Sequence, residues 1–100
     1  MLIYKICPAS LWQEAQTAGA FHGSAHDARD GFIHFSTAEQ LNETAQKHFA
    51  GQSDLLLLTV DATTLGEALK FEPSRGGALF PHLYAPLPLA AVIAIAPFTI

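Results

Sequence analysis

The stretch DLLLLTVD, residues 54–61, is a continuous apolar run with an aspartate at each end. A run of this length between turn-forming residues is typical of a strand that is buried on both faces. The stretch LIYKI, residues 2–6, is short and rich in β-branched and aromatic side chains, and it predicts another strand. Together the two segments predict that a sheet lies at the centre of the fold.

Two helices are predicted from start and stop signals. The first covers residues 10–19, where Ser10 opens an S-x-x-Q box and a glycine ends the helix. The second begins at Ser36, which forms an S-x-x-E box with Glu39, and it ends at another glycine, at position 51. Apolar residues at helical spacing give the second helix an inward-facing stripe.

The remaining segments are assigned from turn residues and from alternation of polarity. Residues 20–31 and 73–89 are rich in turn residues and predict loops, the second of them long. Short strands are expected at 32–36 and 69–72, and one or two strands at 90–100. The last segment is expected to be buried because it is the most apolar. This order predicts an α+β fold, in which all 100 residues form a single compact domain with two helices packed on a small mixed sheet.

Composition excludes several classes of function. The net charge is −4 with only five Lys and Arg residues, too few for the basic face of a stable nucleic-acid binder. Cys7 is the only cysteine, so neither an internal disulfide nor a thiolate metal cluster is expected. With no signal peptide pattern and no apolar run of about 20 residues, we expect a cytoplasmic protein that does not enter a membrane.

The segment GFIHFSTAEQ, residues 31–40, contains the first candidate site. His34 and Ser36 are two residues apart in a predicted strand, so both side chains project from the same face. The predicted helix start at Ser36 and Thr37 adds free amides that favour an anion such as a phosphate, or a ribose or carboxylate group. The alternative is that His34 is a satisfied core histidine and that Ser36 only caps the helix.

The segment FEPSRGG, residues 71–77, contains the second candidate site. Glu72 ends a predicted strand, and Arg75 can form a bidentate contact with phosphate or carboxylate. Gly76 and Gly77 allow the backbone to approach a ligand closely. The alternative is a surface turn with a salt bridge between the arginine and the glutamate.

The segment LFPHLYAPL, residues 79–87, contains the third candidate site. His82 and Tyr84 lie two apart in an apolar loop that must pack onto something, and the lining of a cleft is one possibility. A loop that merely covers the core is the alternative.

No metal site is predicted, because Gly23 between His22 and His26 argues against a helix that would present both imidazoles.

Four stretches, two of them long and specific, carry a resemblance to a known family. The chain resembles, along nearly its whole length, the small bacterial proteins grouped as domain of unknown function 952. That family looks like a compact form of the ADP-ribosyltransferase fold, which binds NAD in a cleft between two small sheets. The matching stretches are IYKI (3–6), DGFIHFSTAEQ (30–40), HFAGQSDLLLLTVD (48–61) and FEPSRGGALFPHLYAPLPL (71–89).

The resemblance implies roles for the candidate residues. His34 and Ser36 match a strand-borne histidine followed at +2 by a hydroxyl residue, and this histidine would hold the ribose. Tyr84 would stack on the nicotinamide and Glu72 would activate the ribose, although here the glutamate precedes the aromatic residue. The related RNA 2′-phosphotransferases use histidine and arginine instead, which would give such roles to His34, His82 and Arg75.

We therefore expect a protein that binds NAD or another ADP-ribose-type nucleotide, with ADP-ribosyl or phosphoryl transfer as its expected reaction. The catalytic candidates are His34, Glu72 and His82. The alternatives are a non-enzymatic module that binds a nucleotide or small anion, and a structural protein without a ligand. The expected ligand contacts are His34, Ser36, Thr37, Arg75, Gly76, Gly77 and Tyr84.

Overall fold

The apolar run forms the middle strand of a three-stranded antiparallel sheet. A computed structural model describes residues 1–100 apart from the side chain of Arg75. The strands are β1 (Leu2–Pro8), β4 (Leu55–Asp61) and β8 (Val92–Phe98), in the order β1-β4-β8. The chain also returns to this sheet at its end, since β8 pairs antiparallel with β4.

Strand β4 is covered on both faces, as its continuous apolar pattern predicts. Leu58 and Val60 are fully buried in the main core, which also contains Ile3 and Phe21. Leu55 belongs to a second, smaller cluster on the other face of the sheet. Alternate side chains of β4 point to opposite faces of the sheet, and each set packs in its own apolar cluster. Both faces of β4 can therefore carry apolar residues.

A second antiparallel sheet has the order β3-β6-β5 and carries the three catalytic candidates, His34, Glu72 and His82. Its strands are β3 (Ile33–His34), β5 (Leu69–Pro73) and β6 (Leu79–Leu83). A third sheet pairs β2 (Ala20–Phe21) with β7 (Leu87–Pro88). The predicted mixed sheet is therefore wrong, because each strand pair found in the described chain is antiparallel.

The predicted long loop at residues 73–89 is also wrong, because it contains the central strand of this second sheet. Pro81 lies in the middle of β6 and argued against a strand, since proline cannot donate a ladder hydrogen bond. The strand forms nevertheless, and the carbonyl of Pro81 accepts a hydrogen bond from the amide of Phe35. The buried sequence around Pro81 therefore outweighs the lost donor.

Three helices are present where two were predicted. They are α1 (Ala9–Ala18), α2 (Ala25–Asp30) and α3 (Leu41–His48). The additional helix, α2, lies in the segment predicted as a loop, and it forms because Ser24 and Asp27 make a reciprocal capping box. Among the described residues, no helix is long and apolar enough to cross a membrane.

The predicted helix start at Ser36 is wrong. Helix α3 begins five residues later, at Leu41, and the preceding residue Gln40 occupies the N-cap. Ser36 instead exchanges two backbone hydrogen bonds with Tyr4, at N···O distances of 2.8 and 2.9 Å. This single bridge joins the β3 side of the second sheet to β1 of the first, and it places both sheets beside one cleft.

Strand β8 was expected to be buried, and this expectation is wrong. Ile93 and Ile95 are 57% and 46% exposed, because β8 is an edge strand and of its side chains only Val92 and Phe98 pack against the apolar clusters. Its apolar sequence reflects β propensity more than burial.

Candidate functional site

Asp27 is the centre of the hydrogen bonding around His34. Its carboxylate accepts hydrogen bonds from Nδ1 of His34 at 2.6 Å and from the His34 amide at 3.1 Å. It also caps its own helix by accepting from the amide of Ser24 at 2.8 Å. Helix α2 and strand β3 are thus fixed to each other through one carboxylate.

Lys5 neutralises this carboxylate from the neighbouring sheet. Its Nζ lies 3.1 and 2.8 Å from the two oxygens of Asp27, and both residues are buried, 8% and 2% exposed. Burial by itself would raise the pKa of the Asp27 carboxyl, but the hydrogen bond from His34 and the charge of Lys5 outweigh it. The pKa of Asp27 therefore lies well below its usual value, and the carboxylate stays ionised.

The backbone at Gly23 leaves room for this carboxylate. A Cβ at position 23 would lie 2.6 Å from Oδ2 of Asp27, and the φ angle of +90° lies in the region that favours glycine. The packing around Asp27 therefore favours glycine at position 23, four residues before it in the sequence.

The second nitrogen of His34 contacts a different carboxylate. Nε2 of His34 lies 2.9 Å from Oδ2 of Asp30, which is partly exposed at the end of α2. His26, one helical turn before Asp30, brings its own Nε2 to 3.6 Å from the same oxygen. Two imidazoles and a carboxylate therefore meet at the surface between α2 and β3.

Cross-strand pairing places His34 directly beside His82. The two residues are partners in the β3–β6 register, and their ring centroids are 5.6 Å apart. On the other side of β6, Lys70 is the partner of His82. Directly opposed residues project to one face of a sheet, so these three side chains share a face.

Glu72 connects His82 to Tyr84 on this face. Its Oε1 accepts hydrogen bonds from Nδ1 of His82 at 2.8 Å and from the Tyr84 hydroxyl at 2.6 Å. The hydrogen bond from Tyr84, and after it that from His82, lowers the pKa of the Glu72 carboxyl. The same contact with Glu72 raises the pKa of the Tyr84 hydroxyl, so the phenol keeps its proton at neutral pH.

Phe32 lies at the centre of the same face. Its ring stacks on His82 with centroids 4.0 Å apart, and it contacts the rings of His34 and Tyr84 at 4.5 and 5.2 Å. We call the set Phe32, Glu72, His82 and Tyr84 the platform. It offers aromatic faces, an ionised carboxylate and a phenol hydroxyl on one surface.

Two grooves lie near the platform. One is lined by Phe32 and Tyr84 of the platform and by residues of α2. The other lies where the two three-stranded sheets meet, and it is lined by His26, His34 and Ser36, of which His34 neighbours His82 of the platform. Concave surface therefore begins at the platform and continues beyond His34, which suits an extended ligand.

The structure brings four of the predicted site residues together, namely His34, Glu72, His82 and Tyr84. Ser36 lines the neighbouring groove, but it is buried and its hydroxyl bonds that of Thr44 at 2.9 Å. The amide of Thr37 donates to the side chain of Gln40, so it is not the free helix amide that we expected.

The predicted glycine cradle is placed differently. Gly76 lines a separate groove with acidic side chains and Lys47, and the amide of Gly77 donates to the carbonyl of Ser74. Both glycines have positive φ angles and form an exposed turn. The predicted phosphate contact of Arg75 concerns a side chain outside the described part of the structure.

Sequence reasoning missed Lys5, Asp27, Asp30 and Phe32. Asp27 and Asp30 lie in the segment predicted as a loop, and only the S-x-x-D pattern from Ser24 could have indicated a helix there. Lys5 is 22 positions from Asp27, and no local pattern connects them. The exclusion of a helix near His26 was wrong, because α2 begins at Ala25, after Gly23.

Comparisons with known proteins agree with this fold. The family model described as protein of unknown function (DUF952) matches residues 6–95. The crystal structure of protein CC0527 from Caulobacter crescentus is similar, with 55% identity and a TM-score of 0.95 over 97% of this chain and 85% of that chain. Its solution NMR structure, also 55% identical, gives a TM-score of 0.85 over 96% and 83% of the two chains. The comparison with curated proteins finds no match.

Proposed function

This chain belongs to the DUF952 family, and from its site we propose that it binds NAD or another ADP-ribose-type nucleotide on the platform. The observation that carries the proposal is the placement of Glu72 beside Phe32 and Tyr84 on one sheet face. The resemblance to the ADP-ribosyltransferase fold supports the same ligand. In that fold NAD lies between two small sheets, and here a groove lies where two sheets meet.

The platform has the chemistry to hold the nicotinamide of NAD. The oxidised nicotinamide ring is a flat cation, and cations are attracted to aromatic faces and to carboxylates. Tyr84 is 44% exposed and therefore accessible to a stacking ring. The lowered pKa of Glu72 keeps its negative charge beside that ring at neutral pH.

The same face has groups for the rest of the nucleotide. Lys70 is exposed and lies opposite His82 in the register, where its ammonium suits a phosphate oxygen. His34 forms the border between the platform and the second groove, where a ribose would lie. Arg75 keeps its proposed phosphate contact from the sequence, since it follows the strand that carries Glu72.

The reaction proposed for this site is ADP-ribosyl transfer. The bond between C1′ of the ribose and the nicotinamide nitrogen breaks, and nicotinamide leaves with the bonding electrons. The carboxylate of Glu72 stabilises the positive charge that develops on the ribose. An acceptor nucleophile then forms a bond to C1′ and releases its proton to solvent.

Binding is tested by NMR titration of the ¹⁵N-labelled protein with NAD and, separately, with ADP-ribose. We expect amide shifts in residues 32–34, 70–72 and 82–84. Glu72→Gln should weaken NAD binding more than ADP-ribose binding, because only NAD carries the cationic ring. Glu67→Gln, an exposed glutamate outside the platform, is the matched control. Shifts confined to other segments, or none at millimolar ligand, would contradict the proposal.

Transfer is tested by measuring nicotinamide release from NAD by chromatography. Release by the wild type that is lost in Glu72→Gln supports the transferase. Binding on the platform without release, unchanged by acceptors such as arginine or nucleic acid, would instead identify the non-enzymatic binding module.

A further inference from the structure

The strongest cluster outside the platform is the surface formed by His26, Asp30 and His34. Each residue offers one ligand atom, and among the described residues these three atoms lie within 4.8 Å of one another. We propose that this cluster binds a first-row transition-metal dication of the Zn²⁺ or Fe²⁺ class. The inference goes beyond the proposed nucleotide function and does not depend on it.

The spacing of the ligand atoms fits such an ion. Oδ2 of Asp30 lies 2.9 Å from Nε2 of His34 and 3.6 Å from Nε2 of His26. Metal–ligand bonds of about 2.0–2.1 Å in a tetrahedral site separate neighbouring ligand atoms by roughly 3.3 Å. The two observed distances lie on either side of that value, and the ligand atoms of His26 and His34 lie within 4.8 Å of each other, so side-chain adjustments of up to about 1.5 Å would complete the site.

The hydrogen bonding of His34 supplies a second, independent argument. Nδ1 donates its proton to the buried carboxylate of Asp27, so the neutral imidazole has its lone pair on Nε2. In that form the lone pair faces a carboxylate oxygen of Asp30 at 2.9 Å, and the contact is favourable only with a cation there, either a proton on Nε2 or a metal ion bound to both atoms. The titration described below distinguishes the two.

The carboxylate behind His34 matches the usual support of a metal-binding histidine. Such histidines donate their other ring proton to a carboxylate or carbonyl, which orients the ring and makes the ligand nitrogen more basic. Asp27 performs this role, and Lys5 holds it in place from β1. The ring of His34 is therefore oriented before any ion arrives.

The chemistry of the ligands selects the class of ion. Two imidazoles and one carboxylate suit Zn²⁺ and Fe²⁺, whereas Mg²⁺ and Ca²⁺ prefer oxygen ligands. Three protein ligands leave coordination positions for water or for a substrate oxygen. Because His26 and His34 also line the groove between the sheets, an ion here would lie beside that groove.

One contact opposes the ion and sharpens the test. The guanidinium of Arg29 donates to Nδ1 of His26, which leaves the proton of the neutral ring on Nε2. Metal binding through Nε2 requires the opposite tautomer, so Arg29 must turn away. Its side chain is 70% exposed and is free to do so. Arg29→Gln should therefore bind the ion more tightly than the wild type.

The test is calorimetric titration of the chelator-treated full chain with Zn²⁺ in the absence of nucleotide, and visible absorption of the Co²⁺ form. We expect one ion per chain and a Co²⁺ band typical of tetrahedral or five-coordinate nitrogen and oxygen ligation. Asp30→Asn and His26→Ala should each weaken binding on the order of tenfold or more. Both side chains are partly exposed, so the variants should fold, which circular dichroism checks.

The matched controls are His22→Ala and Asp54→Asn, an exposed histidine and an exposed aspartate outside the cluster, which should bind like the wild type. Zn²⁺ affinity that is equal in Asp30→Asn and the wild type would overturn the proposal. So would no binding of Zn²⁺ or Co²⁺ at millimolar concentration, because a proton alone would then bridge His34 and Asp30. Mg²⁺ that competes equally with Zn²⁺ would also overturn it.

Discussion

Two histidine–carboxylate pairs lie side by side in this molecule, and they are built in opposite ways. His34 bonds Asp27 and His82 bonds Glu72, and the two histidines are partners across β3 and β6. In the first pair the carboxylate side chain is 1% exposed and the histidine 27%. In the second pair the histidine is 6% exposed and the carboxylate 36%.

This inversion determines which group each pair presents to a ligand. The buried carboxylate of Asp27 supports a histidine whose Nε2 reaches the surface, as in metal-binding and general-base histidines. The buried imidazole of His82 supports a carboxylate that reaches the surface together with a phenol. One sheet face therefore presents an imidazole nitrogen and a negative charge, each fixed from behind.

The largest expected effect separates the two pairs by stability. Asp27→Asn leaves the charge of Lys5 buried without its counterion, which costs about 3–5 kcal/mol in the free energy of unfolding. Asp30→Asn, which changes the exposed neighbour of the same histidine, should cost less than about 1 kcal/mol. Urea denaturation measures both. Equal losses would show that burial does not distinguish the two carboxylates.

The next effect is an alkaline loss of stability beside the first pair. Burial raises the pKa of the Cys7 thiol from 9.0 to about 11. The charge of Lys5 lowers this pKa and the charge of Asp27 raises it, but both effects are smaller than that of burial. Because the folded pKa is the higher one, this contribution is complete below pH 9 and is lost as the pH rises towards 11. The loss is about 2–3 kcal/mol. Unfolding in urea at pH 8 to 11 measures it, and the Cys7→Ala variant should lack this component.

A smaller effect is expected at the second pair. Glu72→Gln removes a charge that water already solvates, so its loss of stability should be far below that of Asp27→Asn. Thermal unfolding beside Glu67→Gln, the control glutamate, measures the difference. A melting temperature as low as that of Asp27→Asn would mean that the second pair is a structural element, and it would remove the basis for assigning Glu72 to a ligand.

The smallest effect concerns the titration of Glu72. Tyr84 makes the largest contribution to its lowered pKa, so Tyr84→Phe should move this pKa back towards its ordinary value. A lowered carboxyl pKa stabilises the fold above the unfolded value of about 4.5, and this contribution is lost as the pH falls through the folded value. Carboxyl ¹³C shifts across pH 2–7 measure the change. An unmoved pKa would contradict the hydrogen bond.

Much of the scaffold follows from local patterns in the sequence. The apolar run in β4 and the glycine that ends α1 at position 19 each follow from a local rule, and the structure agrees with both. Glu72, His82 and Tyr84 can be recognised as site candidates, because a polar side chain within an apolar segment or at the end of a strand breaks the local sequence pattern. Their common face follows from the period of two in β6 and from one register.

The other parts of the fold and of the site depend on contacts between residues that are far apart in the sequence. Helix α2 has only six residues, too few for a periodic signal, and it is held by the contact of Asp27 with Lys5 on β1. The S-x-x-E box at Ser36 satisfies the capping rule, yet pairing with Tyr4 takes that residue into a strand bridge. Tertiary pairing therefore overrides the cap.

The bridge between Tyr4 and Ser36 has a consequence for measuring motion. Only two backbone hydrogen bonds join the sheets at this point, so separating the sheets there breaks those two bonds and no others of the bridge. Exchange of the amide protons of Tyr4 and Ser36 with solvent therefore indicates how readily the two sheets separate at this bridge. The exchange rates of these protons with deuterium, compared with and without a bound ligand, report the opening of the groove directly.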